Sequence, residues 1–171
     1  MNNAENTLKN FPTVLIIFGA TGDLMERKLL PAIFHLHQTG FLPSLFRVIG
    51  FAKENLTEGE YRHWLRKNLP KKGKKIKDFL QKFSYQAGLF EEISSYKELG
   101  KKLGFIDGKF RVCANKLFYL AVPPNYYETI FHNLAKSGLT EPCSPEEGWT
   151  RVLVEKPFGE DTASAKELFH F

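Results

Sequence analysis

The 171 residues carry 43% hydrophobic and 14% aromatic side chains, which excludes a disordered chain and fits one folded domain with a bulky core. No apolar run reaches the about 18–20 residues of a membrane span, and the opening MNNAENTLKNFPT lacks the basic and apolar regions of a secretory signal. The net charge of +5 favours anionic partners, nucleic acid or phosphorylated small molecules.

Residues 1–11 read as an N-terminal tail and 12–171 as a single domain. Val14–Phe18 is a continuous apolar run, which predicts a strand buried on both faces. It closes on the turn Gly19-Ala20-Thr21-Gly22, followed directly by Asp23 and Leu24. Leu24–Leu30 predicts a first helical turn, and Pro31 fits the N1 position of the helix that continues through Ile33, Phe34, Leu36 and His37 to Gly40. Phe46–Phe51 predicts the second strand. Thr57 and Glu60 form a capping box for a helix over Tyr61–Leu69, stopped by Pro70. The basic run Lys71–Lys77 has two open readings, a solvated loop or a phosphate-steering or nucleic-acid patch; the helical pattern resuming at Ile76–Phe83 argues against a dedicated arm. Phe83–Ala87 predicts a short strand, Ser95–Gly104 a helix, Lys116–Val122 a strand and Tyr126–Lys136 an amphipathic helix ended by Gly138. Thr140–Gly148 has turn composition, Thr150–Val154 predicts a strand, and Thr162–Phe169 a last helix. Strands alternating with helices predict an α/β fold, a doubly wound, Rossmann-like parallel sheet with helices on both faces.

Cys113 and Cys143 lack metal-ligand spacing and read as two free thiols in a reducing, cytoplasmic setting. A strand feeding a glycine turn and then a helix is suited to holding phosphate. The helix start offers unpaired N–H groups, and glycine lets the backbone approach the anion. The G-x-x-G pattern lacks the three-glycine spacing of the dinucleotide fingerprint, so a plain βα connection stays open. The second strand ends in Gly50-Phe51-Ala52-Lys53. Lys53 suits a ribose 2′-phosphate, while Glu54 keeps a bare ribose open if it points inward. Lys28 is either a phosphate ligand or a solvated lysine. Pro123 and Pro124 stiffen the chain where a nicotinamide would pack. Glu155-Lys156-Pro157 delivers a charged pair at a strand end, either a ligand for a substrate hydroxyl or phosphate or a surface ion pair.

Together these residues resemble the coenzyme-binding domain of the glucose-6-phosphate dehydrogenase family. The family's G-A-[ST]-G-D-L turn stands as Gly19-Ala20-Thr21-Gly22-Asp23-Leu24, its basic residues before a proline as Arg27, Lys28 and Pro31, and its L-F-Y-L-A-x-P-P segment as Leu117–Pro124. Its E-K-P-F-G is Glu155–Gly159, and its G-x-A-R strand end is Gly50–Lys53, with lysine for the usual arginine. The resemblance implies NADP as cofactor, with NAD bound more weakly, and glucose 6-phosphate as substrate, oxidised to 6-phosphogluconolactone. It implies that Gly19, Ala20, Thr21, Gly22, Asp23 and Leu24 cradle the pyrophosphate and that Lys53 meets the 2′-phosphate. Ala121, Val122, Pro123, Pro124 and Tyr127 would line the nicotinamide side, with Glu155, Lys156 and Pro157 at the crevice. Lys156 would bridge substrate and cofactor, and Lys28 would approach the substrate. It implies a homo-oligomer, with no nucleic-acid or membrane partner. Lysine lacks arginine's planar fork, so the preference for NADP over NAD is expected to soften.

The family's R-I-D-H-Y-L-G-K segment, which carries the general-base histidine, has no counterpart here. His35, His37, His63, His132 and His170 read as packing or surface residues. The chain stops at Phe171 inside a predicted helix, so it reads as truncated, without the family's second domain, and is expected to be inactive alone. Three rivals remain. Another nicotinamide-dependent sugar oxidoreductase would carry the three-glycine turn. A short-chain reductase would carry Tyr-x-x-x-Lys, and no tyrosine here has lysine four residues on. The third is a non-catalytic nucleotide-sensing module.

Overall fold

The computed structural model describes residues 11–70, 75–143 and 148–155. Among these, five strands run parallel: β1 (Thr13–Phe18), β2 (Phe46–Ala52), β3 (Phe83–Ala87), β4 (Asn115–Leu120) and β5 (Thr150–Val154). Their order is β3-β2-β1-β4-β5. The connections carry α1 (Leu30–Thr39), α2 (Glu58–Lys67), α3 (Ile76–Leu80), α4 (Ile93–Phe110) and α5 (Tyr127–Lys136). This is the doubly wound sheet that the alternation of patterns predicts, and among the described residues no helix is long and apolar enough to cross a membrane.

Residue parity along each strand divides the core into two layers. Val14, Ile16 and Phe18 of β1, with Ile49 and Phe51 of β2 and Phe118 and Leu120 of β4, pack against the buried stripes of α4 and α5. Ile17, Val48, Ala52, Phe83 and Tyr85 face α1, α2 and α3 on the other side. Phe18 anchors the first layer, with its ring centroid 4.7 Å from Phe51 and 5.9 Å from Tyr96. Truncating a wholly buried phenylalanine of this kind costs about 3–5 kcal/mol. The register sets Phe18 opposite both Phe51 and Leu120, and Leu120 opposite Val154. The carboxyl ends of four strands are therefore level, and the segments that follow them gather along one rim.

Several element bounds differ from expectation. Pro31 is the second residue of α1, one place later than N1. It lies within a helical path that already includes a π turn over Met25–Leu29, where the Leu30 N–H donates to the Met25 carbonyl five residues back. A proline inside a helix removes one donor and crowds the carbonyl four residues earlier, and a widened turn relieves both. The capping box forms as expected, with the Glu60 N–H donating to Thr57 Oγ1 at 3.2 Å and the Thr57 N–H to Glu60 Oε2 at 2.8 Å. The helix it starts, α2, ends at Lys67, two residues short of Leu69. α3 stops at Leu80, because Phe83 is committed to β3 opposite Val48. α4 runs through Gly104 to Phe110, since the buried stripe Tyr96, Leu99, Leu103 and Ile106 continues past it. Packing of that stripe outweighs the roughly 1 kcal/mol that a helical glycine costs. β4 ends at Leu120, and Ala121 and Val122 belong to the loop after it. The last predicted helix, Thr162–Phe169, lies outside the described residues. Cys113 and Cys143 are free thiols, as read.

Candidate functional site

In an open parallel sheet, ligands bind where consecutive connections diverge, beyond the carboxyl ends of the strands. Here the chain leaves β1 toward β2 on one side, while β4 flanks β1 on the other. The glycine turn sits over that divergence. Gly19 takes φ +78°, and a Cβ there would lie 2.4 Å from the Ala121 carbonyl oxygen and 2.9 Å from Val122 Cγ1. Only glycine lets the two loops meet so closely. The Gly19 and Ala20 N–H groups donate to the Phe51 carbonyl at 2.9 and 3.3 Å, and the Ala121 N–H donates to the Phe18 carbonyl at 3.0 Å. The turns after β1 and β4 are thus seated on the neighbouring strand ends.

From Gly22 the backbone enters the helix directly, with the Glu26 N–H donating to the Gly22 carbonyl at 3.1 Å. The first turn of a helix leaves its leading N–H groups without intrahelical acceptors and concentrates the positive end of the dipole. Residues from Asp23 onward supply that turn at the rim of the crevice. The cradle fits an anionic diphosphate: close backbone, a helix start, and a small residue where bulk would obstruct. Asp23 itself is exposed and paired with Arg27 at 2.6 Å beside the helix start.

Two tethers hold this rim that the sequence pattern does not display. Thr21 Oγ1 donates to Glu54 Oε2 at 2.7 Å, tying the glycine turn to the residue just beyond β2. The buried Tyr61 hydroxyl donates to the Ala20 carbonyl at 3.3 Å, and burial pushes this phenol well above its usual range. Glu54 therefore points inward, toward the turn, while its own carbonyl accepts from the Tyr85 hydroxyl at 2.7 Å. Lys53 and Lys28 are exposed. The presence of an acidic residue after the second strand is visible in the sequence, but its direction follows only from the register of β2 against β1.

On the other side of the crevice, Tyr127 is 2% exposed, with its ring in the core. Its hydroxyl donates to the Glu155 carbonyl at 3.4 Å. Tyr119 Oη donates to Glu155 Oε1. Burial, reinforced by the Glu155 carboxylate, pushes the Tyr119 phenol above its usual range; burial does the same for Tyr127. Glu155 is thus fixed at both its side chain and its backbone, immediately before Lys156. Lys156 and Pro157 lie outside the described residues. Pro123 is exposed, and Pro124 opens a 3-10 turn that leads into α5.

The structure brings together Gly19–Leu24, Lys53, Ala121–Pro124 and Glu155 on one rim. Among the described histidines, His35, His63 and His132 are exposed, and His37 packs on Phe79 with ring centroids 5.3 Å apart. A second cleft, of about 490 Å3, lies away from this rim on the open side of β3, among Arg47, Arg62, Lys82, Lys101, Lys102 and Lys109. Arg62 Nε donates to the Phe83 carbonyl at 2.9 Å and Lys102 Nζ donates to the Tyr85 carbonyl, so these side chains cap the acceptors of an edge strand.

Residues 16–170 match the family model described as glucose-6-phosphate dehydrogenase, NAD binding domain. A chloroplastic glucose-6-phosphate 1-dehydrogenase of Nicotiana tabacum is 36% identical over 98% of this chain and 27% of its own length. The glucose-6-phosphate 1-dehydrogenase of Chlamydia pneumoniae is 38% identical over 92% of this chain and 32% of its own. A solved glucose-6-phosphate dehydrogenase, in complex with its substrate glucose-6-phosphate, superposes with a TM-score of 0.81 at 34% identity, covering 95% of this chain and 34% of that one. The Mycobacterium avium enzyme structure gives 0.77 at 29% identity, over 93% of this chain and 33% of that one. The chain spans about a third of the length of these relatives.

Proposed function

The chain belongs to the glucose-6-phosphate dehydrogenase family, and from that premise we propose that residues 12–171 form the coenzyme domain of an NADP-dependent dehydrogenase of glucose 6-phosphate. The observation that carries this reading is the seating of Gly19 against Ala121 and Val122 at the divergence of β1 and β4. It leaves backbone and a helix start, with no side chain between, facing the place a pyrophosphate would take.

The nicotinamide coenzyme, when bound, accepts the hydride from C1 of the sugar as its hydroxyl becomes the lactone carbonyl. The residues of this chain bind and orient. Gly19–Leu24 receive the pyrophosphate, and Ala121–Pro124 stiffen the nicotinamide side. Tyr119 and Tyr127 fix Glu155, and Lys156, the next residue in the sequence, is assigned to meet a substrate oxygen. Lys28 carries a positive charge toward the sugar phosphate. The base that takes the hydroxyl proton is assigned to the part of the relatives that this chain does not span, because the described histidines are surface or packing groups. Holding the two reactants together removes much of the entropic barrier to hydride transfer.

Lys53 supports NADP: it is an exposed cation at the end of β2, where a 2′-phosphate would lie. One observation favours a second reading, NAD: Glu54 turns inward, as an acidic ribose ligand does. Its Oε2 already accepts the Thr21 hydroxyl, so the first reading is preferred. Titration calorimetry with each dinucleotide decides between them. A charge-assisted contact contributes about 1.5–3 kcal/mol, so NADP is expected to bind roughly tenfold to a hundredfold more tightly. Equal affinities, or tighter NAD, would put Glu54 on the ribose and overturn the assignment of Lys53.

A further inference from the structure

On the open side of β3, three cations that the proposed reaction does not use converge on one cleft: Arg47, Lys82 and Lys109. The edge of β3 lies between α2, which packs on one face of the sheet, and α4, which packs on the other. Its alternate carbonyls are already engaged. Phe83 accepts from Arg62 Nε at 2.9 Å, Tyr85 from Lys102 Nζ, and Ala87 from Gln86 Nε2 at 2.9 Å. The two carboxylates that line the cleft are engaged as well. Glu58 pairs with Arg62 at 3.0 Å and with Lys102 at 3.5 Å, and Glu98 pairs with Lys101 at 2.7 Å. Among the described residues, Arg47, Lys82 and Lys109 form no ion pair with a carboxylate.

These three come from separate elements. Arg47 is the second residue of β2, Lys82 immediately precedes β3, and Lys109 stands in the last turn of α4. Arg47 stands opposite Val14, at the end of β1 away from the glycine turn. Its Nη1 donates to the Phe46 carbonyl at 3.0 Å, and Lys109 Nζ lies 4.4 Å from the centre of the Phe105 ring, so both heads are held in place. Burial, and after it the Arg47 guanidinium, keeps the Lys82 ammonium below its usual range, against a smaller opposing pull from Asp78. Like charges held together in a half-buried place repel one another until an anion enters.

We propose that this cleft binds a small molecule bearing two phosphate groups. Charge supports the class: a phosphate group carries about −1.5 to −2 at neutral pH, so two of them balance three cations. The donor set supports it too, with the planar fork of Arg47 and the point charges of two lysines. The cleft volume of about 490 Å3 lies within the roughly 300–1,000 Å3 of small-molecule sites. A peptide strand would need the β3 carbonyls that Arg62, Lys102 and Gln86 already occupy. Nucleic acid needs a charged track along its backbone, whereas these charges converge within one cleft. The proposal does not rest on the coenzyme reading.

The test is titration calorimetry of the full-length protein in buffer without divalent cations, with NADP present at a saturating concentration. The probes are inorganic pyrophosphate, whose phosphates are linked, and propanediol bisphosphate, whose phosphates are separate; the tighter of the two identifies the spacing. One site per chain is expected, undisturbed by NADP. Lys82→Gln is expected to weaken the tighter probe roughly tenfold to a hundredfold and to leave NADP affinity unchanged. Without ligand, this variant should melt no earlier than the parent, because repulsion from Arg47 is relieved. Lys109→Gln, at an exposed position, should weaken the same probe with Tm unchanged. Displacement of the probe by NADP would place it on the coenzyme rim and overturn the proposal. So would equal probe affinity in parent and both variants, or an earlier melt of Lys82→Gln with binding retained. Tighter binding of a glutamate-rich peptide or a single-stranded oligonucleotide than of either probe, at equal ionic strength, would also overturn it.

Discussion

Gly19→Ala separates the demands of the crevice from those of the fold. At φ +78° an alanine occupies the left-handed region, which costs about 1–2 kcal/mol for an L-residue. The added Cβ would also lie 2.4 Å from the Ala121 carbonyl oxygen, a backbone atom that cannot rotate away. Forcing that contact open is overpacking, at roughly 1–3 kcal/mol, and the alanine recovers about 0.4–1 kcal/mol by restricting the unfolded chain. The net loss is about 1–4.6 kcal/mol. For a domain of this size, at about 2–4 °C per kcal/mol, this is a fall in Tm of roughly 2–18 °C. Gly40→Ala is the internal control. Gly40 has φ +75°, but nothing lies within 4 Å of a Cβ there, so only the dihedral cost applies. After the same gain from the unfolded chain it should lose about 0–1.6 kcal/mol and leave coenzyme binding untouched. Relieving the clash at Gly19 moves the turn against β4 by a substantial fraction of an ångström. A displacement near 1 Å at a positioned site costs on the order of a hundredfold. Differential scanning calorimetry reads the stability, and dinucleotide titration at a temperature where both variants are folded reads the site. If Gly19→Ala melts with Gly40→Ala and binds dinucleotide like the parent, then the contact between the two loops is not what forms the cradle.

Lys53→Ala is expected to weaken NADP roughly tenfold to a hundredfold and leave NAD unchanged in calorimetry; equal losses for the two would remove Lys53 from the 2′-phosphate. Lys156→Ala, in the full-length enzyme, is expected to lower kcat about 10²–10³-fold by removing a donor to the developing charge at C1. Its Tm should stay unchanged, whereas an early melt with kcat retained would make Lys156 a structural ion-pair partner. A protein made of these 171 residues alone is expected to turn over glucose 6-phosphate negligibly, since loss of a general base removes about 10²–10⁴-fold and sugar orientation is lost with it; near-native turnover would refute this. Thr57→Ala is expected to cost about 1 kcal/mol in urea denaturation and to flatten its acid side in part, since alanine keeps the backbone N–H. Hydrogen bonds from the Thr57 N–H and hydroxyl hold the Glu60 carboxyl below its usual value in the folded state. That contribution stands above the unfolded carboxylate pKa of about 4.3 and is lost as pH falls through the lower folded value. An unchanged acid slope in Thr57→Ala would show that the Thr57 hydroxyl does not contribute to it.

The strands, their order of appearance and the glycine turn were readable because each rests on short-range rules: apolar runs, period-two alternation, and residues tolerated at a turn. Helix bounds were less readable because packing decides them. At α4 the stripe ending in Ile106 carried the helix past Gly104, where propensity alone would stop it. At α3 the helix yielded Phe83 to the sheet, although the same residue continues the helical pattern. The site divided along the same line. The residues that form its backbone cradle are contiguous, so the string Gly19–Leu24 displayed them. The residues that hold the cradle in place are separated by up to 41 positions, as Tyr61 is from Ala20, and no local pattern links them. Glu54 shows what this means for specificity. A lysine and a glutamate side by side after β2 name both coenzymes at once, and no property of the pair alone chooses between them. The choice follows from parallel register, which sets the end of β2 beside the end of β1 and brings Glu54 within 2.7 Å of Thr21. A carboxylate already accepting a hydroxyl has less to offer a ribose, and among the described residues the exposed Lys53 has no such commitment. On the proposed reading, the coenzyme preference would depend on the Thr21 hydroxyl as well as on the charges after β2. Thr21 joins the glycine turn to the residue just beyond β2.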